Sequence, residues 1–520
     1  MLETTVGSVL RAAAAAAAER TAVVAWGATV GERRSWTFAA LLRDAERAAH
    51  ALLARFRPGE HVAVYANNSP EWLLLELGAG LAGLVLVTVN PASRVRELDY
   101  LLRQSRSVGL FHADAFRGNP LAEWVAQVQG GLPELREVVP LGRWAEFVDA
   151  ASDARTLPEV RAGEAAQIQY TSGTTGSPKG ALLHHRGLTN DARFFMQHAD
   201  LQAGDIFVHA LPFFHTTGCG LVVLGTLQRQ ATQVFLPAFD AGRLLEILER
   251  ERGTHVMGVP TMMLALLEHA DLERRDLSAL RVAMAGGASV APQIVRAIEA
   301  RLGVRFNIGY GQTEASPIIT QARLDDSPED KAHTVGRPLP QTEVKIADPA
   351  TGEPVPCGVV GELCARGFQV MLGYFDMPEA TAAAIDRDGW LHTGDLATMD
   401  ERGYCRIAGR LKDMVIRGGE NLFPVEIESV LLEHPGVADA SVIGVPDRIM
   451  GEELAAFVRA AGARPAVEEL RSHVRARLAA PKTPRYWIFV DALPLTGPGK
   501  VQKYVLRQQW DSGTLEALQS

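Results

Sequence analysis

Short runs of apolar, β-branched residues alternate with helix-like stretches through the amino-terminal part of the chain, and this alternation restricts the fold more than any other feature. His61-Val-Ala-Val-Tyr65 reads as a strand. Ser69-Pro70-Glu71 follows as a helix start, with Ser69 as the cap and Pro70 at the first helical position, and residues 84–89 form the next strand. A strand–helix–strand unit of this kind implies parallel pairing. Leu41, Leu42, Ala45, Ala49, Leu52 and Leu53 place an apolar stripe on a helix within 37–56 that can cover such a sheet. Strand-like runs at 206–210, 232–236 and 255–259 repeat the pattern, separated by helix-like segments at 241–251 and 261–269.

From about Thr334 the texture changes to short strands and Gly/Pro turns, as in Asp348-Pro-Ala-Thr-Gly352, which predicts a small β-rich lobe or barrel. Beyond Arg410 the pattern is compact α+β with charged helices such as 467–478. The expected class is therefore α/β: a large amino-terminal domain of parallel αβ sheets with a small β lobe, residues 1–410, and a small α+β domain, residues 411–520.

Composition narrows the function classes. The 520 residues carry a formal net charge of -9 and no basic tract, which argues against nucleic acid and against an anionic membrane surface. Cys219, Cys357, Cys364 and Cys405 show no C-x-x-C spacing and read as unpaired thiols in a reducing compartment. The alanine run 12–18 is too short and too weakly apolar to span a bilayer and reads as a helix. Residues 72–89, the most apolar stretch, contain Glu76 and several glycines and read as a buried helix followed by a strand. Met1-Leu2-Glu3 is not an export signal and Ala-Leu-Gln-Ser is not a peroxisomal address, so a cytoplasmic location is expected.

Tyr170-Thr-Ser-Gly-Thr-Thr-Gly-Ser-Pro-Lys-Gly180 concentrates glycines, hydroxyl side chains and a lysine just after the strand-like Gln167-Ile-Gln-Tyr170. Glycines let a backbone approach a ligand closely, and successive N–H groups form an anion-binding nest. Thr171, Ser172, Gly173, Thr174, Thr175, Gly176 and Lys179 are thus candidates for gripping phosphate. This is not a Walker A loop, because Pro178 stands where the second glycine of that motif belongs.

The segment resembles the phosphate loop of the adenylate-forming superfamily, which includes acyl-CoA synthetases, luciferases and peptide-synthetase adenylation domains. Six further signatures follow in that superfamily's order: Gly286-Gly287-Ala288, Tyr310-Gly311-Gln312-Thr313-Glu314, Trp390-Leu-His-Thr-Gly-Asp395, Gly409-Arg410-Leu-Lys412-Asp413, Gly418-Gly419-Glu-Asn421 and Gly497-Pro-Gly-Lys500. Seven ordered motifs over more than 300 residues are highly specific. The resemblance implies ATP, Mg²⁺ and, as co-substrate, CoA. It implies that Gly286 to Ala288 pack on one face of adenine and that Tyr310 stacks on it. Glu314 and Thr174 are expected at the metal, and Asp395 and Arg410 at the ribose. Lys500 is expected to stabilise charge at the α-phosphate during adenylation. The family more often has a hydroxyl residue where this chain has Pro498, so a stiffer turn is expected there. Lys412 resembles a hinge about which the small domain turns, exchanging Lys500 for Gly418 and Gly419, beside which a pantetheine arm can pass.

His215, in Leu-Pro-Phe-Phe-His-Thr-Thr-Gly218, bears on the substrate. Amino-acid-activating relatives usually carry Phe-Asp there, and the Phe239-Asp240 pair lies about 25 residues too late (240 minus 215) to serve. An ammonium left unpaired in a closed pocket is costly, so α-amino acids are disfavoured. The acyl pocket is expected around His215, Gly218, Val259, Met262 and Gly309, with Gly309 removing a wall and His215 lining or gating the cavity. Such a lining suits a medium or longer fatty acid or an aryl acid. Three alternatives stay open: a free carrier protein as thiol acceptor, an unusual acid such as a small oxyacid, and a non-catalytic adenylate-binding protein. The oligomeric state is open too, a homodimer included.

Overall fold

The computed structural model describes residues 1–27, 31–150, 156–171, 178–287, 290, 292–495, 501–513, 515 and 517–519. The chain divides into two compact units, Met1–Val344 with Ala365–Leu391, and Lys345–Cys364 with His392–Ser520.

The first unit is built on two large sheets. In the seven-stranded sheet, Val85–Val89, His61–Tyr65, Gly109–His112 and Glu137–Pro140 are neighbours in that order and all parallel. Ala165–Thr171 runs parallel to Val85–Val89 and folds back antiparallel onto Lys179–His184. Val85–Val89 is buried at every position, as expected of a parallel strand covered on both faces.

The helix Pro70–Ala82 starts as its sequence dictates: the Ser69 hydroxyl accepts from Trp72 N at 3.1 Å, and Pro70 occupies the first turn. It stops at Gly83, whose φ of +69° a β-carbon would strain. This helix crosses Phe38–Leu53 closely, since a β-carbon at Gly78 would lie 2.8 Å from that of Ala48. Asp240, outside any substrate role, caps the helix Ala241–Arg250 by accepting from Arg243 N at 2.8 Å.

The nine-stranded sheet contains the parallel series Arg305–Gly311, Val282–Gly286, His255–Gly258, Ile206–His209, Thr232–Phe235 and Thr21–Trp26. After Ile206–His209 the chain lays Thr232–Phe235 on one side and His255–Gly258 on the other. Strand order therefore reverses at Ile206–His209, and the crevice at the carboxyl ends of strands flanking such a reversal is where open α/β sheets bind ligands.

The second unit contains a six-stranded sheet in which the long hairpin Val437–Asp447 and Gly451–Ala460 is packed by the helices Pro424–Leu432 and Val467–Arg475. A four-stranded sheet takes the order Thr342–Ala347, Gly361–Gly367, Leu391–Met399, Cys405–Arg410, the β-rich lobe expected from the turn-rich sequence. No disulfide joins any of the four cysteines, of which Cys357 is exposed and the others are buried. No helix among the described residues is long and apolar enough to cross a membrane.

Candidate active site

Four adjacent parallel strands of the nine-stranded sheet end at one edge, and the expected site residues follow those ends. Ile206–His209 leads into the turn that carries His215, His255–Gly258 into Val259 and Met262, and Val282–Gly286 into Gly287. The fourth strand, Arg305–Gly311, carries Gly309, Tyr310 and Gly311 at its end and leads through Gln312 and Thr313 into Glu314. Gly286 pairs with Gly309, and a β-carbon at Gly286 would lie 3.0 Å from the Gly309 carbonyl oxygen. Gly287 has φ +82°, and among the described residues a β-carbon there would meet only Val259 Cγ1, at 3.8 Å. Gly286 is buried and Gly287 exposed, and Tyr310, the residue after the Gly309 that pairs with Gly286, is half-buried. Ala288 lies outside the described residues.

The segment expected to grip phosphate joins the antiparallel strands Ala165–Thr171 and Lys179–His184. Thr171 pairs with Lys179, which fixes both ends of the segment, while Ser172, Gly173, Thr174, Thr175 and Gly176 lie outside the described residues. The Lys179 ammonium stands 5.0 Å from the centroid of the Tyr374 ring. Tyr374 in turn donates its hydroxyl hydrogen to Glu314 Oε1 at 2.8 Å. Burial, and then the neighbouring Glu314 charge, raises the Tyr374 phenol far above its ordinary value, so it stays a donor. Glu314 is 8% exposed and its backbone carbonyl is held by Met371 N at 2.8 Å. A buried carboxylate with one oxygen oriented by a phenol is the hard oxygen donor that Mg²⁺ takes, usually one or two carboxylates beside substrate phosphates. The residues present fit that ion. Tyr374 has no local signature in the sequence and was not among the expected residues.

Packing accounts for the absence of a side chain at two glycines expected at the acyl pocket. The room that a side chain at Gly309 would take is already filled, because its β-carbon would lie 2.8 Å from Phe195 Cε2. Gly309 therefore seats the Phe195 ring. Gly218 is demanded by the turn itself, since a β-carbon would fall 2.2 Å from the Pro212 carbonyl oxygen. Gly218 lies within Thr217–Val223, a π-helical stretch of a form frequent at functional sites. His215 is half-buried with its ring 4.7 Å from that of Phe214. A groove of about 620 Å³ lined by Arg55, Arg57, Glu60 and Arg136 precedes the strands His61–Tyr65 and Glu137–Pro140, and so lies at the opposite, amino-terminal edge of its sheet.

In the second unit, Asp395 and Arg410 face each other on paired strands, with Arg410 Nε 2.9 Å from Asp395 Oδ1. Asp395 is 5% exposed, so the guanidinium compensates its charge and holds one oxygen in place. The backbone before it is fixed by a carboxylate that the sequence did not single out. Glu362 Oε1 accepts from Gly394 N at 2.9 Å, and Glu362 Oε2 lies 2.7 Å from His392 Nδ1. Cys364 Sγ is 3.6 Å from the same nitrogen. The 2.7 Å contact is a hydrogen-bond length; two donors on one divalent ion stand about 3 Å apart or more, given bonds near 2 Å. The trio therefore reads as support for the Asp395 turn.

Gly418 and Gly419, at φ +59° and +86°, form the two-residue turn between Val415–Arg417 and Glu420–Leu422. Positive φ at both positions is what this hairpin connection demands. No described residue places an atom within 4 Å of a β-carbon at Gly419, whereas one at Gly418 would meet Met450 Cε at 2.8 Å. Lys412 lies in the single turn Leu411–Asp413, and its ammonium is pushed below the usual value chiefly by partial desolvation, although the residue as a whole stays exposed. Lys500 lies outside the described residues; Leu495 and Val501, which flank its segment, pair with each other.

Comparison with known proteins agrees with this architecture. Residues 10–375 match the AMP-binding enzyme family and residues 426–500 match the AMP-binding enzyme C-terminal domain. YngI of Bacillus subtilis (strain 168), whose name places it among acyl-CoA synthetases, is 42% identical over 87% of this chain and 87% of its own. The mitochondrial medium-chain acyl-CoA ligase ACSF2 of Rattus norvegicus is 34% identical over 98% of this chain and 88% of its own. Among solved structures, ATP-bound MatB from Rhodopseudomonas palustris superposes with a TM-score of 0.88 at 32% identity, covering 98% of this chain and 99% of that one. The chain belongs to the AMP-binding enzyme family, in its acyl-CoA synthetase branch, and is an AMP-forming acid–thiol ligase.

Proposed function

We propose that the enzyme activates a medium-chain fatty acid with ATP and transfers the acyl group to CoA. The observation that carries this reading is the convergence of His215, Val259, Gly286, Gly287 and Tyr310 at the carboxyl ends of four adjacent strands, with the buried Glu314 one turn beyond. The resemblance to medium-chain acyl-CoA ligases supports the choice of acid. His215, where amino-acid-activating enzymes place an aspartate, supports an acid without an α-ammonium.

Adenine packs against the Gly286-Gly287 segment and Tyr310, and Asp395 with Arg410 engages the ribose. Lys179 and the loop it closes grip the phosphates. A magnesium ion held by Glu314 would neutralise phosphate charge. A carboxylate oxygen of the acid attacks the α-phosphorus, the bond to the β-phosphate breaks and pyrophosphate leaves. Lys500 offsets the negative charge that builds on the α-phosphate oxygens in this step. In the second step the CoA sulfur attacks the acyl carbon and AMP departs, with Gly418 and Gly419 leaving room for the pantetheine arm. Lys412, at the boundary between residues 1–410 and 411–520, is the hinge that exchanges the two arrangements.

ATP–pyrophosphate exchange across straight-chain acids of rising length, a cinnamate, a small dicarboxylic acid and an amino acid tests the substrate. Exchange strongest with a medium-chain acid supports the reading, and exchange confined to the dicarboxylic or amino acid removes it. Mass spectrometry of the product with CoA identifies the acceptor: acyl-CoA is expected, and an acyl-adenylate that accumulates without thioester points to a carrier protein.

A further inference from the structure

The turn that carries His215 hangs from the nine-stranded sheet, yet side chains of the other sheet hold its backbone. Asn68, in the loop after His61–Tyr65, is 3% exposed. Its Oδ1 accepts from Phe213 N at 2.7 Å, and its Nδ2 donates to the Leu211 and Leu236 carbonyls at 2.9 and 3.1 Å. The amide can sit only one way round, because Phe213 offers a donor and the other two positions offer acceptors. Thr88, on Val85–Val89 and 2% exposed, places its Oγ1 3.0 Å from the Phe214 carbonyl oxygen and 3.1 Å from Gln169 Oε1. One hydroxyl proton is thus shared between the His215 turn and the strand that runs into Thr171. Gln169 Nε2 reaches Cys219 Sγ at 3.2 Å, which grips the far end of the same turn.

We propose that Asn68 and Thr88 are positioning residues that fix the depth of the acyl pocket by holding the backbone of 211–214, and with it His215, against the strand that leads to the phosphate loop. This inference rests on the reading of His215 as a wall of the acid site. Neither residue touches the acid. Their effect is on which acid fits and on how the acyl wall is registered with the nucleotide.

The test compares wild type with Asn68→Ala, Asn68→Asp, Thr88→Val and Thr88→Ser in kcat/KM across straight-chain acids, in KM for ATP and in thermal midpoint. One methylene in an apolar pocket is ordinarily worth about 10-fold or more in discrimination. Asn68→Asp and Thr88→Val are expected to cut the ratio between the best acid and its neighbours by about fivefold, with KM for ATP within about twofold of wild type. Asn68→Asp should exceed Asn68→Ala in effect, because an oxygen then faces two carbonyl oxygens. Thr88→Ser, which keeps the hydroxyl, should restore the wild-type profile. Should the Asn68 variants fail to fold, the isosteric Thr88→Val carries the test alone. An unchanged acid profile in a folded Thr88→Val, or a uniform loss across all acids, overturns the inference. Failure of wild type to form any acyl-adenylate would instead remove the proposed function itself.

Discussion

Replacing Tyr374 by phenylalanine deletes one oxygen atom and keeps the ring. The lost oxygen donates to Glu314 Oε1 at 2.8 Å, while the retained ring still faces the Lys179 ammonium at 5.0 Å. Hydrogen bonds to charged groups contribute about 1.5–3 kcal/mol, and each ~1.4 kcal/mol is a factor of ten. The full loss would be about 10- to 100-fold, and with water able to take the phenol's place the lower end is expected. The assay is ATP–pyrophosphate exchange at varied Mg²⁺ and varied ATP. Tyr374→Phe should raise half-saturating Mg²⁺ by about 10-fold, and KM for ATP at saturating Mg²⁺ should stay within about twofold, because the ring under Lys179 survives. Tyr374→Leu, which removes the ring as well, should raise both. A Tyr374→Phe enzyme with wild-type Mg²⁺ dependence would refute the assignment of Glu314 to the metal.

Gly419→Leu should leave adenylation intact and slow thioester formation at least ~10-fold; no described residue occupies the space at its β-carbon, and a positive φ costs a branched residue about 1–2 kcal/mol, which a protein of this size tolerates. Unchanged thiolation in that variant would take Gly419 out of the pantetheine path. Acid stability provides a third check. Burial lowers the imidazoles of His185, His209 and His255 to about 4, 3 and 4. The unfolded chain binds these protons near pH 6.5 and the folded protein does not, so their stabilisation is complete above that pH and is lost as pH falls toward 4. Each contributes a slope of up to ~1.4 kcal/mol per pH unit, so urea titrations between pH 7 and 4.5 should show a loss to which these three histidines contribute up to about three protons. His209→Gln should lessen that slope by about one proton, and an unaltered slope would contradict its buried neutral state.

Much of the scaffold was legible because its rules are local. Val62, Val64, Val87 and Val89 are β-branched residues in runs short enough for buried parallel strands, and the strands lie where those runs are. Ser69 with Pro70 announces a helix start, and Asp240 proved to be a helix cap, as its position before an amphipathic run allows. The residues missed act across long separations. Tyr374 meets Glu314 from 60 residues away, Glu362 supports Gly394 from 32, and Asn68 reaches Phe213 from 145. No periodicity or spacing encodes such pairs. Glycines were the other blind spot. The sequence shows that Gly309 and Gly218 lack side chains, and packing shows what stands there: Phe195 beside the one and the Pro212 carbonyl beside the other. Glycine marks where a side chain is excluded, and only the fold shows what excludes it.

The division of one nucleotide site between two half-reactions is tested most directly by single-turnover kinetics of Lys500→Ala, with acyl-adenylate formation from ATP and acid measured separately from acyl transfer out of a supplied acyl-adenylate to CoA. Loss of one preorganised charge partner predicts adenylation slowed by about 100- to 1,000-fold or more, with transfer to CoA within a few-fold of wild type. Equal slowing of both steps, or adenylation at the wild-type rate, would contradict the account.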